Sequence, residues 1–254
     1  VTGVQTCALP ISGLSVQRRI ILPKGHGSIA VIREDVRNDN KLGRIFNMVQ
    51  HPTIGGPFLD ASTIVDCNGR QGFAQGGPMP HPEEPSSFWP RAFNPDGESV
   101  DLRHLAGNHS PNVTSFVIDD ALGWVTAASP TSGLLIGYLW KTSDYPWVNL
   151  WRNARDGKPD ARGLEFGTTG LHQPFPVLTR KKTIFGRPLY QHLDAGETIS
   201  KAYLVFILEI PRDFGGVQDL GLGQDRITIR ERAAASPRSI SVDLPRSLRD
   251  TWSP

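Results

Sequence analysis

The sequence predicts an all-β protein whose antiparallel strands form a sandwich or barrel. Short apolar runs recur at close spacing between turn-forming residues. The runs are rich in Val, Ile, Thr and aromatic side chains, which suit a pleated surface. No stretch holds the helical apolar period long enough for a convincing amphipathic helix. At 254 residues the chain can form one large β domain or two small ones. Its 27 Lys and Arg against 25 Asp and Glu leave a net charge of +2, and the basic residues are scattered until the last stretch, so no nucleic-acid partner is expected. No apolar window of about eighteen residues occurs, and no helical membrane span is expected.

Both ends stand apart from this pattern. Residues 1–11, Val-Thr-Gly-Val-Gln-Thr-Cys-Ala-Leu-Pro-Ile, look like the in-frame translation of a sequencing adapter. They are expected to be non-native and are set aside from the fold, with the natural start expected to be missing. That removes Cys7 and leaves Cys67 as the one cysteine, so no intrachain disulfide is expected. Such a lone Cys reads as a small buried hydrophobe. Residues 12–222 are the expected β domain. Over 223–254 Arg, Ser and Pro dominate, and a poorly ordered tail is expected, with 225–232 as one further strand candidate.

Within the domain, 29–32 is β-branched enough for a strand. Residues 43–51 alternate with a period of two, placing Ile45, Asn47, Val49 and His51 on one face. Asn47 and His51 therefore look the same way, and Pro52 ends the strand with the histidine at its tip. Residues 62–67 form a short strand. The Gly- and Pro-rich stretch 68–111, which carries His81, Trp89, His104, Asn108 and His109, is expected as a long loop with one or two short strands, draped over a sheet face or the mouth of a site. Strands follow at 112–119, 123–128, Leu134–Lys141 and 147–153. The stretches 183–192 and 198–210 flank a tight turn at 193–197 and are expected to pair as a hairpin. Apolar residues on both faces of the second put it in mid-sheet.

The stretch with the clearest chemical content is 162–175, Arg-Gly-Leu-Glu-Phe-Gly-Thr-Thr-Gly-Leu-His-Gln-Pro-Phe. In an extended strand Leu164 and Phe166 point away from Glu165, which projects alone onto a face where Gly163 and Gly167 leave space. On pattern alone, Glu165 is equally an ordinary solvent-facing residue of an edge strand, and His51 a strand-end histidine bonded to backbone.

Gly163-Leu164-Glu165-Phe166-Gly167, with Pro174 downstream, resembles the Leu-Glu-Thr-Gln…Pro-Asp segment of the aldose 1-epimerases of the galactose mutarotase superfamily. Phe46-Asn47-Met48-Val49-Gln50-His51-Pro52 resembles their Asn-Leu-Thr-Asn-His-x-Tyr strand, and the turn at 193–197 resembles their Leu-x-x-Gly-Glu pair. The order matches along most of 43–210. The resemblance implies a galactose mutarotase-like β-supersandwich, antiparallel and N-terminally incomplete here, acting on a small carbohydrate without cofactor or metal. It implies Glu165 as catalytic base and His51 as general acid. Opening a sugar hemiacetal needs a proton removed from the anomeric hydroxyl and one delivered to the ring oxygen, and an imidazole changes charge near neutral pH. The chain departs from the family in lacking its first histidine, in the residues after His51, and in having Phe166-Gly167 after the Glu. His172 is the candidate to stand in for that first histidine.

Aromatic faces stack on the apolar faces of sugars, and Tyr138, Trp140, Tyr145, Trp147 and Trp151 cluster closely. Trp147 and Trp89 are the candidate platforms. Arg152, Arg155 and Arg162 lie around the Glu165 strand, and Arg162 is the candidate partner for a substrate anion; Asn47 completes the substrate-binding set. No His, Cys, Asp or Glu spacing matches a structural zinc site. The alternatives are a non-catalytic carbohydrate-binding module, or a lyase or glycosidase on the same scaffold. A glycosidase requires a second carboxylate, for which Asp144, Asp156 and Glu209 are candidates.

Overall fold

The computed structural model describes residues 2–9, 13–25, 27–93, 97–105, 112–232 and 236–252, the first of these by backbone alone. The chain begins with β1 (Thr2–Leu9), β2 (Leu14–Ile21), β3 (Ile29–Asn38), β4 (Arg44–Phe46), β5 (Val49–Gln50), β6 (Thr53–Gly55) and β7 (Ile64–Cys67). It continues through β8 (Gly69–Ala74), β9 (Ser87–Phe88), β10 (Arg91–Phe93), β11 (Ser99–Asp101), β12 (Val113–Ile118), β13 (Leu122–Ser129), β14 (Leu134–Lys141), β15 (Trp147–Arg155) and β16 (Lys158–Gly167). Helix α1 (Phe175–Lys181) precedes β17 (Thr183–Ile184), β18 (Arg187–Pro188), β19 (Gln191–Leu193) and β20 (Thr198–Glu209). Last come β21 (Val217–Leu222), β22 (Arg226–Glu231), β23 (Ser239–Asp243) and α2 (Arg246–Trp252).

Two large antiparallel sheets form the sandwich. One has seven strands in the order β1-β2-β3-β20-β14-β13-β7; the other has nine, β11-β10-β9-β8-β12-β15-β16-β5, with β6 also on β16. Even-numbered residues of β16 point between them. Phe166 stacks on Trp140 of β14 with centroids 4.1 Å apart and planes 7° from parallel, while Tyr145 and Tyr203 meet it edge-on at 5.4 and 5.1 Å. Leu164 and Phe166 are fully buried there, as the alternation requires. The outer face of the nine-stranded sheet therefore receives Glu165. Cys67 lies buried in the same inter-sheet core.

A second core covers the outer face of the seven-stranded sheet. The strand candidate at 225–232 forms β22, and residues beyond it expected as a poorly ordered tail make β23 and α2; together they bury Ile227, Ile229, Val242, Leu248 and Trp252 against Val31, Leu135, Leu139 and Leu204. Along β22 Ile227, Ile229 and Glu231 turn inward in strict alternation. Each helix has seven residues, too short for a periodic signature, and among the described residues no helix is long and apolar enough to cross a membrane.

Three local expectations change. The stretch 68–111 holds more strand than the one or two short ones expected: β8 to β11 extend the nine-stranded sheet, residues 75–86 remain a loop, and His104 makes an isolated bridge to Ile64. Asn108 and His109 lie outside the described residues. The turn at 193–197 forms, closed by the Asp194 N–H donating to the Glu197 carboxylate at 2.7 Å, but β19 pairs with β4 while β20 lies between β3 and β14. It joins two sheets and is not a hairpin, although β20 is indeed a mid-sheet strand. Residues 43–51 are interrupted: β4 and β5 join different sheets, and the chain turns at Asn47 and Met48.

Candidate functional site

The site lies on the outer face of the nine-stranded sheet, where β5, β12, β15 and β16 run side by side. Register places Asn149 across from Glu165, Trp151 across from Gly163, and Val113 across from Trp151. These residues share one face. The space left by the two glycines is used at once: a Cβ on Gly163 would lie 3.2 Å from Trp151 Cβ and 3.0 Å from Glu165 Oε1, and one on Gly167 would lie 2.8 Å from Val49 Cγ2. The carboxylate thus lies over its own strand, walled by an indole ring and a valine. Val49, His51, Val113, Trp151, Glu165 and His172 enclose a cavity of about 380 Å³.

His51 Nε2 is 2.9 Å from Glu165 Oε1. Its Nδ1 is 3.1 Å from Thr53 Oγ1, and its ring centroid is 6.3 Å from that of Trp151. Glu165 is 3% exposed against 55% for His51, so the pair is asymmetric. Burial pushes the Glu165 carboxyl above the usual carboxylate range, and the neighbouring His51 only partly offsets this. His172 faces the same cavity, and its ring is held below the usual imidazole value, first by desolvation against the cavity wall and second by His51. The Gln75 amide positions this loop: it donates to Gly170 O and, at 2.7 Å, to Ser115 Oγ, and accepts from the His172 N–H at 3.2 Å.

Sequence reasoning placed three of its residues together here: His51, Glu165 and His172. The other four go elsewhere. Asn47 does not share the His51 face, because Thr168 Oγ1 accepts from the Met48 N–H at 2.9 Å and donates to Asn47 Oδ1 at 3.0 Å, pulling the chain out of alternation. Its amide then donates to Leu189 O at 3.1 Å and serves the fold. Trp147 is fully buried; its indole donates to Pro188 O at 2.9 Å beneath a small core of Phe73, Leu171, Leu178, Ile184 and Leu189 that caps this end of the outer face. Arg162 is 1% exposed and points between the sheets, as its even position on β16 dictates; it donates to Leu102 O and Arg103 O, and burial lowers it to about 9. It cannot meet a substrate anion. Arg152 is likewise buried, and Arg155 pairs with Asp160 at the surface. Trp89 packs edge-on against Phe116 at 5.6 Å, away from this cavity.

Trp151 is the aromatic wall of this cavity that the sequence did not single out, since strand register rather than parity sets it beside Glu165. Gln50 was missed as well. It faces inward one residue before His51, its Nε2 2.5 Å from Glu34 Oε2 and 3.1 Å from Tyr145 Oη. Glu34, fully buried, also takes bonds from Arg18 Nε at 2.6 Å and Tyr145 Oη at 3.1 Å. Among the described residues no group of three or more His, Cys, Asp or Glu can hold a metal ion.

The two-sheet architecture is that of a galactose mutarotase-like β-supersandwich. No protein-family model matches the chain, and no curated protein matches it. Solved structures do. A candidate aldose 1-epimerase from Klebsiella pneumoniae superposes with a TM-score of 0.56 at 12% identity, over 82% of this chain and 50% of that one. An aldose epimerase homologue from C. elegans gives 0.53 at 11% identity over 83% and 66%, and a galactose mutarotase-like protein from Lactobacillus casei 0.52 at 16% over 82% and 69%. At such identities the likeness concerns the fold, and this chain spans about half the length of the Klebsiella protein.

Proposed function

We propose that the chain binds a small carbohydrate in the cavity beneath His51 and His172 and interconverts its anomers by acid–base catalysis. The observation that carries this reading is the convergence of a buried carboxylate and an imidazole, 2.9 Å apart, in a cavity with an indole wall. Glu165 takes the proton of the anomeric hydroxyl, and its raised proton affinity suits a base that must hold that proton while the ring opens. His51 delivers a proton to the ring oxygen and recovers it on closure. The sugar replaces the direct His51–Glu165 bond, and the Trp151 ring supports its apolar face.

A glycosidase reading is less well supported. Glu165 is the only carboxylate among the described lining residues. Asp144 Oδ2 is 3.4 Å from the Ala202 N–H and its carbonyl accepts from Lys201, Asp156 sits in a turn with φ of 51°, and Glu209 ends a strand of the other sheet. The test is Glu165→Gln in a polarimetric or NMR anomer-exchange assay across a panel of aldoses. The expected loss is about 10²–10⁴-fold, the usual contribution of one general base. A full rate in the variant would sink the assignment.

A further inference from the structure

Trp89 belongs to a second cavity that shares no residue with the first. This groove, about 490 Å³, opens where the end of β7, the start of β8, β9 and the β21 strand meet. It differs from the His51 cavity in its polar lining. Gln71, Gln218 and Asp219 project into it and make no side-chain hydrogen bond among the described residues. Arg70 is held only loosely, 3.9 Å from Asp120. The buried indole N–H of Trp89 has no acceptor, and a donor so placed has lost its water without replacement. Asn68, by contrast, is fully committed to the fold: it donates to Asp120 at 3.1 Å and to Leu122 O at 2.7 Å, and accepts from the Trp124 N–H at 2.9 Å.

Beside these groups stands Phe88, 56% exposed. The groove thus pairs an open aromatic face with uncommitted donors and acceptors of both kinds, and its two Arg are balanced by two Asp. A fixed anion or cation would leave half of that lining mismatched. A ligand with one apolar face and hydroxyls that both donate and accept matches all of it. We propose that this groove is a second saccharide-binding site, in which a neutral glycosyl unit stacks on Phe88 and exchanges hydrogen bonds with Gln71, Gln218 and Asp219. It does not depend on the chemistry proposed for Glu165.

The test follows the tryptophan indole N–H signals of the full chain by ¹H–¹⁵N NMR. The probes are the methyl α- and β-glycosides of glucose and galactose, which cannot open and so report binding without turnover, together with maltose and cellobiose. The expected result is a saturable shift of the Trp89 indole signal with at least one probe, about tenfold weaker binding in Phe88→Ala, whose ring is on the surface, and no change in Glu165→Gln. Gln71→Ala is the second variant and weakens the same titration. The proposal is overturned if no probe moves the Trp89 signal, if only the Trp151 signal moves, or if Phe88→Ala and Gln71→Ala both titrate like the parent.

Discussion

Replacing Gln50 with Leu probes a buried polar contact that ties the His51 segment to the opposite sheet. Strand β5 has two residues and pairs with β16 through Gln50 and Val49, and Gln50 adds a grip inside the sandwich. Its amide lies 2.5 Å from the buried Glu34 carboxylate, a hydrogen bond to a charged acceptor worth about 1.5–3 kcal/mol. Leu fills similar volume, and Glu34 keeps Arg18 and Tyr145, so the carboxylate is not abandoned. The expected destabilisation is therefore about 2 kcal/mol, or roughly 4–8 °C in Tm for a domain of this size. Urea denaturation measures it, and a double-mutant cycle with Glu34→Gln isolates the pairwise coupling, expected at about 0.5–3 kcal/mol. The ¹⁵N shift of His51 Nε2 should change with it, because that ring is carried by the next residue. A variant within about 0.5 kcal/mol of the parent, with no coupling to Glu34 and an unmoved His51 signal, would refute the reasoning.

Two further outcomes follow from burial. Because the Glu165 carboxyl binds its proton more tightly in the folded chain, its contribution to stability is fully present below the unfolded value near pH 4 and is lost as pH rises through the folded one. Glu165→Gln should therefore match the parent in Tm below about pH 4 and exceed it increasingly toward neutrality; an advantage that grows toward acid would contradict this. Trp147→Ala and Trp151→Ala should separate cleanly. The first empties a fully buried site and costs about 3–5 kcal/mol, whereas the second leaves stability nearly intact and weakens sugar binding, by calorimetry or NMR titration.

Much of this arrangement was legible in the sequence wherever strict alternation decided it. The faces of Leu164, Glu165 and Phe166 follow from a period of two, and the mid-sheet place of β20 from apolar residues on both of its faces. What alternation could not supply was register and interruption. Trp147 and Trp151 lie on the same face of β15, and nothing local shows that α1 and β17–β18 cover the first and leave the second open. Asn47 was misplaced because a side chain 121 positions away, Thr168, breaks the strand beneath it. Beyond the strand candidate at 225–232, the terminal segment escaped notice because its apolar residues are sparse. It takes the seven-stranded sheet as a partner to make Ile227 and Trp252 a core.

The direct bond between His51 and Glu165 decides which of the two must move. A sugar placed between them needs the pair to part, and the two side chains are held very differently. Glu165 sits in mid-strand with β15 on one side and β5 and β6 on the other, its neighbours Leu164 and Phe166 locked in the inter-sheet core. His51 leaves the end of β5, is followed by Pro52, and is more than half exposed. If the pair parts, the exposed imidazole is therefore the side chain that moves and the buried carboxylate the one that stays. Thr53 Oγ1, 3.1 Å from Nδ1, is the only other side chain in hydrogen-bond contact with that ring among the described residues, so it helps to fix the orientation of the imidazole. Thr53→Val should then loosen the ring, broadening or doubling the His51 signals in NMR while leaving Tm within about 0.5 kcal/mol of equivalent stability, since the residue is exposed. If His51 stays as ordered as in the parent, the contact with Thr53 does not fix the ring and its position is set by Glu165.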